Sequence, residues 1–125
     1  MGDDVRDASM IDVEQIDGLL NAAGVETARV VLSSFWSSTA DLLASARTAI
    51  DLNDFDGLER AGHAIKGAAA NVGASRISDA ARLMEDAART ADAVAATAAV
   101  AEIDAAVPMV RDAFEAHFVD FRRAS

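Results

Sequence analysis

The 125-residue sequence contains no cysteine. Disulfides, thiolate catalysis and cysteine-based zinc or iron–sulfur sites are therefore excluded. Long apolar runs are also missing, because no stretch approaches the roughly 18 uninterrupted apolar residues of a membrane-spanning helix. The acidic residues Asp3 and Asp4 stand where a signal peptide would be basic. We therefore expect a cytoplasmic protein that does not associate with a membrane.

Basic residues are scarce, with 11 Lys and Arg against 21 Asp and Glu and a formal net charge of −10. Binding to nucleic acid requires a surplus of Lys and Arg, so we expect soluble protein partners and no nucleic acid. The sequence has no glycine-rich nucleotide loop, and its acidic runs lack the spacing of a calcium loop. Because its two histidines are distant in sequence, we expect no cofactor and no metal site.

Apolar residues make up 52% of the chain, which is enough for one compact domain to bury a core. They recur at spacings of three and four, as in amphipathic helices, and no segment alternates with the period of a strand. The pattern predicts a disordered tail over residues 1–8 and a single domain over 9–123. Within it we expect a short helix that ends near Gly24, followed by four longer helices over about 25–52, 55–72, from Ser75 onward, and 92–121.

Long helices with short connections pack as antiparallel neighbours. The predicted fold class is therefore all-α, an antiparallel up-down four-helix bundle with a short extra N-terminal helix. Gly73 is expected to end the second long helix, and Ser75 to cap the third. Pro108 lies inside the last helix and removes one backbone hydrogen bond, so we expect a kink or a break there. His117 is expected to be a partly buried residue of the bundle.

His63 is the strongest candidate for a chemical role. It lies about 200° around its helix from Ile65, at roughly 100° per residue, so burial of Ile65 exposes the imidazole. Lys66 and Gly67 follow three and four residues later and share that face. Lys66 is the only lysine in the chain, and its head group is expected to face water.

These neighbours suit an imidazole that takes and gives a phosphoryl group. Lys66 would neutralise charge on the phosphoryl oxygens, and Gly67, with Ala64 and Ala70, would leave room for a partner's active-site loop. A mid-helix glycine costs about 0.8–1 kcal/mol relative to alanine, so close approach would explain its presence. Taken alone, an exposed histidine is most often an ordinary surface residue, and Gly67 could be a glycine that serves helix packing.

The segment His63-Ala-Ile-Lys66-Gly67-Ala-Ala-Ala-Asn71-Val-Gly73 resembles the histidine-containing phosphotransfer (HPt) domains of bacterial multistep phosphorelays. The resemblance covers about residues 10–120. It continues on the next helix, where small, apolar and acidic residues stand at the family's usual positions: Ala74, Ile77, Ala80, Met84 and Glu85.

The resemblance implies that His63 is the phosphorylated side chain, Lys66 the cation that stabilises the phosphoryl group and Gly67 the clearance position. It also implies that Glu85 hydrogen-bonds the ring or its phosphoryl group; bonding to Nδ1–H would leave Nε2 nucleophilic. An ordinary solvated glutamate is the alternative for Glu85. Possible docking residues around the ring are Arg60, Ala64, Ala70 and Asn71.

We therefore expect a phosphotransfer protein that accepts phosphate from the aspartate of one receiver domain and donates it to another. The expected partners are receiver domains of response regulators, of a hybrid sensor histidine kinase, or of both. Kinase activity, ATP and magnesium would belong to those partners. Two alternatives remain: the phosphoacceptor module of a larger chemotaxis-type or hybrid histidine kinase, and a helical bundle that binds a receiver without carrying phosphate. The initiator methionine and loose acidic start favour a complete short protein.

Overall fold

The computed structural model describes residues 10–124 of the chain. Within this range all regular elements are α-helices, and their connections are short. They form an antiparallel four-helix bundle, so the predicted fold class is confirmed. The predicted tail over residues 1–8 lies outside the described residues. The helices are α1 (Val13–Asp51), α2 (Phe55–Val72), α3 (Ser75–Arg89) and α4 (Ala93–Ala124).

Gly24 divides α1 into a short N-terminal arm and a long part. Its φ of +85° and ψ of 168° are non-helical values that glycine adopts most easily. The predicted short extra helix is therefore present, joined to the long part by this one residue. Asp12 caps the arm by accepting a hydrogen bond from the Gln15 backbone N–H at 3.2 Å. The Asp12 N–H donates to the Gly73 carbonyl at 2.7 Å, which ties the arm to the α2–α3 turn.

The α2–α3 turn is as tight as the sequence indicates. Gly73 has the left-handed conformation expected of a helix C-cap, with φ +84°. The predicted cap at Ser75 is wrong, because Ala74 occupies the N-cap position and Ser75 is already the first residue of α3. The Ala74 N–H bonds back to the Ala69 carbonyl at 2.8 Å, so the chain enters α3 at once.

The buried faces of the helices follow the predicted spacing, and α3 turns Met84 inward while Leu83 is half exposed. A break in the last helix is wrong, since α4 continues through Pro108. Pro108 lies on the solvent side, where water can bond the carbonyl that loses its partner. The largest fully buried side chains include those of Phe114, Phe118, Ile16, Leu58, Ile65, Ile77 and Ile103.

In the described part of the chain, α4 has the length and apolar composition of a membrane-spanning helix. A third of its apolar segment is buried inside the bundle. The core helices of soluble bundles pass the same test, so this composition is weak evidence for a membrane span.

Candidate functional site around His63

His63 lies on the outer face of α2. The helix packs through Leu58, Ile65 and Ala69, all of which are fully buried, and this orientation leaves the imidazole 74% exposed. Gly62, the residue before it, faces α3. An added Cβ at Gly62 would lie 3.2 Å from the backbone nitrogen of Glu85, so the missing side chain lets the two helices approach closely beside the histidine.

The close approach of α2 and α3 allows the Glu85 side chain of α3 to contact the imidazole ring. Its side chain is 1% exposed, and its Oε2 lies 3.0 Å from His63 Nδ1. A carboxylate only accepts hydrogen bonds, so Nδ1 carries the proton in this contact. In the neutral imidazole the lone pair is then at Nε2. The structure therefore combines a buried acceptor with an exposed ring whose other nitrogen is the nucleophilic one.

Lys66 contacts the second oxygen of the same carboxylate, with Nζ 2.6 Å from Glu85 Oε1 and a side chain that is 34% exposed. The expectation that its head group faces water is wrong, because the buried negative charge draws the ammonium inward. Burial raises the pKa of Glu85, but the hydrogen bonds and charges of Lys66 and His63 outweigh burial and hold that pKa below its ordinary value. Glu85 is therefore ionised at neutral pH.

Arg89 and Glu59 also belong to this cluster, although sequence reasoning did not select them. Arg89 stands four residues after Glu85, a spacing that predicts a helix ion pair, and its Nη2 lies 3.5 Å from Oε2. Its Nε donates to Glu59 Oε2 at 2.8 Å, across to α2. The cluster surrounds a surface depression of about 290 Å³ lined by Glu59, Arg60, His63, Ala64, Glu85 and Arg89.

The face of α2 beyond the ring is made of small, exposed residues. Ala64, Gly67 and Ala70 are all exposed, and so is Asn71. An added Cβ at Gly67 would meet nothing within 4 Å, so close helix packing does not explain this glycine. The Asn71 carbonyl accepts a hydrogen bond from Gln15 Nε2 at 2.9 Å, which holds the end of this face against α1.

His117 is part of a different contact. Its side chain is 21% exposed, and its Nε2 lies 2.6 Å from Asp17 Oδ1, between α4 and the arm of α1. The prediction of a partly buried bundle residue is confirmed. Across residues 10–124, no group of three or more His, Cys, Asp or Glu side chains is arranged to hold a metal ion.

Comparison with known proteins finds a matching family and solved structures of similar fold. The model of the Hpt domain family matches residues 30–113, a range that contains His63 and Glu85. The chain is similar in structure to histidine-containing phosphotransfer protein B of Pseudomonas aeruginosa PAO1, with a TM-score of 0.79 and 23% identity over 90% of this chain and 97% of that one.

Two plant proteins share the fold. A histidine-containing phosphotransfer protein of Medicago truncatula matches with a TM-score of 0.78 and 14% identity, over 94% of this chain and 82% of that one. One from maize matches with a TM-score of 0.77 and 18% identity, over 94% and 88%. A comparison with curated protein sequences finds no match.

Proposed function

Because this chain belongs to the Hpt domain family, we propose that it carries a phosphoryl group on His63 between aspartates of receiver domains. The main support is the ring itself, which is exposed and hydrogen-bonded at Nδ1 to a buried carboxylate. Hpt domains interact with receiver domains in phosphorelays. The proposed partners are receiver domains of response regulators, of a hybrid sensor histidine kinase, or of both. We place the protein in the cytoplasm, with no kinase activity, cofactor or metal of its own.

The transfer step needs no proton movement at His63. Nε2 attacks the phosphorus of the receiver's acyl phosphate, the bond from phosphorus to the aspartate oxygen breaks, and the carboxylate leaves with that electron pair. The proton stays on Nδ1, and the ring becomes a cation. Its hydrogen bond to the Glu85 carboxylate is then charge-assisted and stronger than that of the neutral ring. Donation to the next receiver is the same step in reverse.

The surroundings of the ring support approach by a second protein. Ala64, Gly67 and Ala70 are small and exposed, so an active-site loop can reach the imidazole without displacing a bulky side chain. Arg60 and Asn71, at the edges of this face, are the proposed polar docking contacts. Lys66 stands one helical turn from His63, so its ammonium can neutralise negative charge on the phosphoryl oxygens when the ring is phosphorylated.

The test is transfer of labelled phosphate from purified, phosphorylated receiver domains of the source organism. Wild type is expected to take label from at least one receiver, and His63→Gln is expected to take none. His117→Gln makes the same substitution at the other histidine and should leave labelling intact. The proposal is wrong if wild type takes no label from any receiver, or if His63→Gln takes it as well as wild type.

A further inference from the structure

The Glu85 carboxylate is held by two cations on opposite oxygens. Lys66 Nζ contacts Oε1 at 2.6 Å, whereas Arg89 Nη2 lies 3.5 Å from Oε2, the oxygen that also faces His63. Lys66 is therefore the close partner and Arg89 the distant one. Arg89 is 55% exposed, so its guanidinium has room to move by the short distance that a direct hydrogen bond requires.

Phosphorylation changes the charge balance of this cluster. A phosphoryl group brings about −1.5 to −2 charges at neutral pH and three strong acceptor oxygens, and the ring gains one positive charge. Lys66 is the only lysine and stands one turn from His63, so the new oxygens compete with Glu85 for its ammonium. Glu85 is buried, and when Lys66 leaves, the cations beside its carboxylate are the phosphorylated ring and Arg89, both on the Oε2 side. A buried carboxylate is strongly destabilised when it loses a close cation, so Arg89 has to compensate for the part of that loss that the ring does not.

We propose, on the basis of the phosphoryl-carrier function above, that Arg89 is a positioning residue that replaces Lys66 as the counter-ion of Glu85 when His63 is phosphorylated. Lys66 is thereby released to the phosphoryl oxygens. A guanidinium can bond two carboxylates at once through its fork of N–H groups. Arg89 already bonds Glu59 through Nε, which holds the Nη2 group beside Oε2.

A second neighbour keeps the guanidinium in place. Asp86 Oδ1 lies 3.3 Å from Arg89 Nη1, so carboxylates face three sides of the group. The hydrogen bond to Glu59 raises the pKa of Arg89 above its ordinary value, and the negative charges of Glu59, Glu85 and Asp86 raise it further. The replacement cation is therefore charged in both states of His63.

The experiment compares the stability of phosphorylated and unphosphorylated protein, without any receiver. Potassium phosphoramidate phosphorylates the ring: the P–N bond of the reagent breaks, ammonia leaves and a bond from phosphorus to Nε2 forms. Mass spectrometry locates the group on His63, and urea unfolding in the cold gives the ratio of folded to unfolded chain for each form.

In Arg89→Gln, phosphorylation is expected to lower the folded-to-unfolded ratio two- to fivefold more than it does in wild type, about the range of a partly exposed ion pair. Arg89→Lys keeps the charge but lacks the fork that contacts Glu59 and Glu85 together, so its response should fall between those of wild type and Arg89→Gln. Arg123→Gln, which makes the same charge change at the end of α4, should also behave like wild type.

The inference is overturned if Arg89→Gln responds to phosphorylation as wild type does, even when it is less stable in both forms, since that is the result of a purely structural role. It is also overturned if Arg123→Gln matches Arg89→Gln. Because chemical phosphorylation bypasses the receiver, neither result depends on the transfer assay, and failure of labelling by every receiver would count against the proposed function alone.

Discussion

Gly62 and Gly67 lie five residues apart on α2 and face different directions, and the structure predicts that replacing each by alanine has a different effect on stability. Both substitutions gain about 0.8–1 kcal/mol of intrinsic helix stability. At Gly67 the new Cβ meets nothing within 4 Å, so Gly67→Ala should realise that gain in full. At Gly62 the Cβ would lie 3.2 Å from the Glu85 backbone nitrogen and 3.3 Å from the Ala81 carbonyl oxygen.

Two of the three closest atoms belong to the backbone of α3, and the third is Glu85 Cγ at 3.2 Å. The backbone contacts are relieved only if α2 and α3 move apart by a few tenths of an ångström. Overpacking of this kind costs about 1–3 kcal/mol. Subtracting the helix gain leaves Gly62→Ala between neutral and about 2 kcal/mol less stable than wild type. Because the helix gain cancels between the two variants, the difference between them measures the packing cost, about 1–3 kcal/mol.

Urea unfolding followed by circular dichroism measures both variants against wild type, and an unchanged slope with denaturant confirms that the same surface is exposed. Gly62→Ala should also slow labelling of His63, because separation of the helices draws Glu85 away from Nδ1. If Gly62→Ala proves as stable as Gly67→Ala, the close approach at Gly62 does not exist in solution and the explanation for the position of Glu85 fails.

Two further predictions concern the face around the ring. Lys66→Ala removes the larger of the contacts that lower the pKa of Glu85. A carboxyl group whose pKa is lower in the folded state stabilises the fold above its unfolded-state pKa, and this stability is lost as the pH falls through the folded-state pKa. Because the folded-state pKa rises in this variant, acid unfolding should begin at a higher pH than in wild type. An unchanged acid midpoint by circular dichroism would contradict the ion pair. Gly67→Leu should leave the fold intact but reduce label transfer from receivers at least tenfold, while chemical phosphorylation of His63 proceeds as in wild type; equal losses in both reactions would refute a docking role for the open face.

Local patterns in the sequence were sufficient to predict the helices and most of their inward faces. Apolar spacing placed Leu58 and Ile65 in the core and His63 in solvent, because helix geometry converts spacing directly into direction. Gly73 was equally predictable, since a left-handed cap is a property of one residue. The prediction for Ser75 was wrong by one position, because Ala74, directly after the Gly73 cap, takes the N-cap position of α3.

Contacts between helices were harder to predict, because spacing on one helix gives a direction and no partner. Lys66 was assigned to the correct face, but the buried carboxylate that attracts its ammonium lies on α3. Arg89 carried a usable signal in its four-residue spacing from Glu85, whereas Glu59 had none, since its contact with Arg89 depends on the register of α2 against α3. The position of Glu85 opposite the ring came from family resemblance, and no periodicity would have supplied it.

That register depends on Gly62. With alanine there, α3 would stand a few tenths of an ångström farther from α2, and the hydrogen bond between Nδ1 and Glu85 Oε2 would lengthen and weaken. A buried carboxylate without partners would take up a proton and lose the charge that orients Nδ1–H. Gly62 and Lys66 therefore act on the same property of His63 from two directions: the glycine brings Glu85 within 3.0 Å of Nδ1, and the lysine keeps it ionised there.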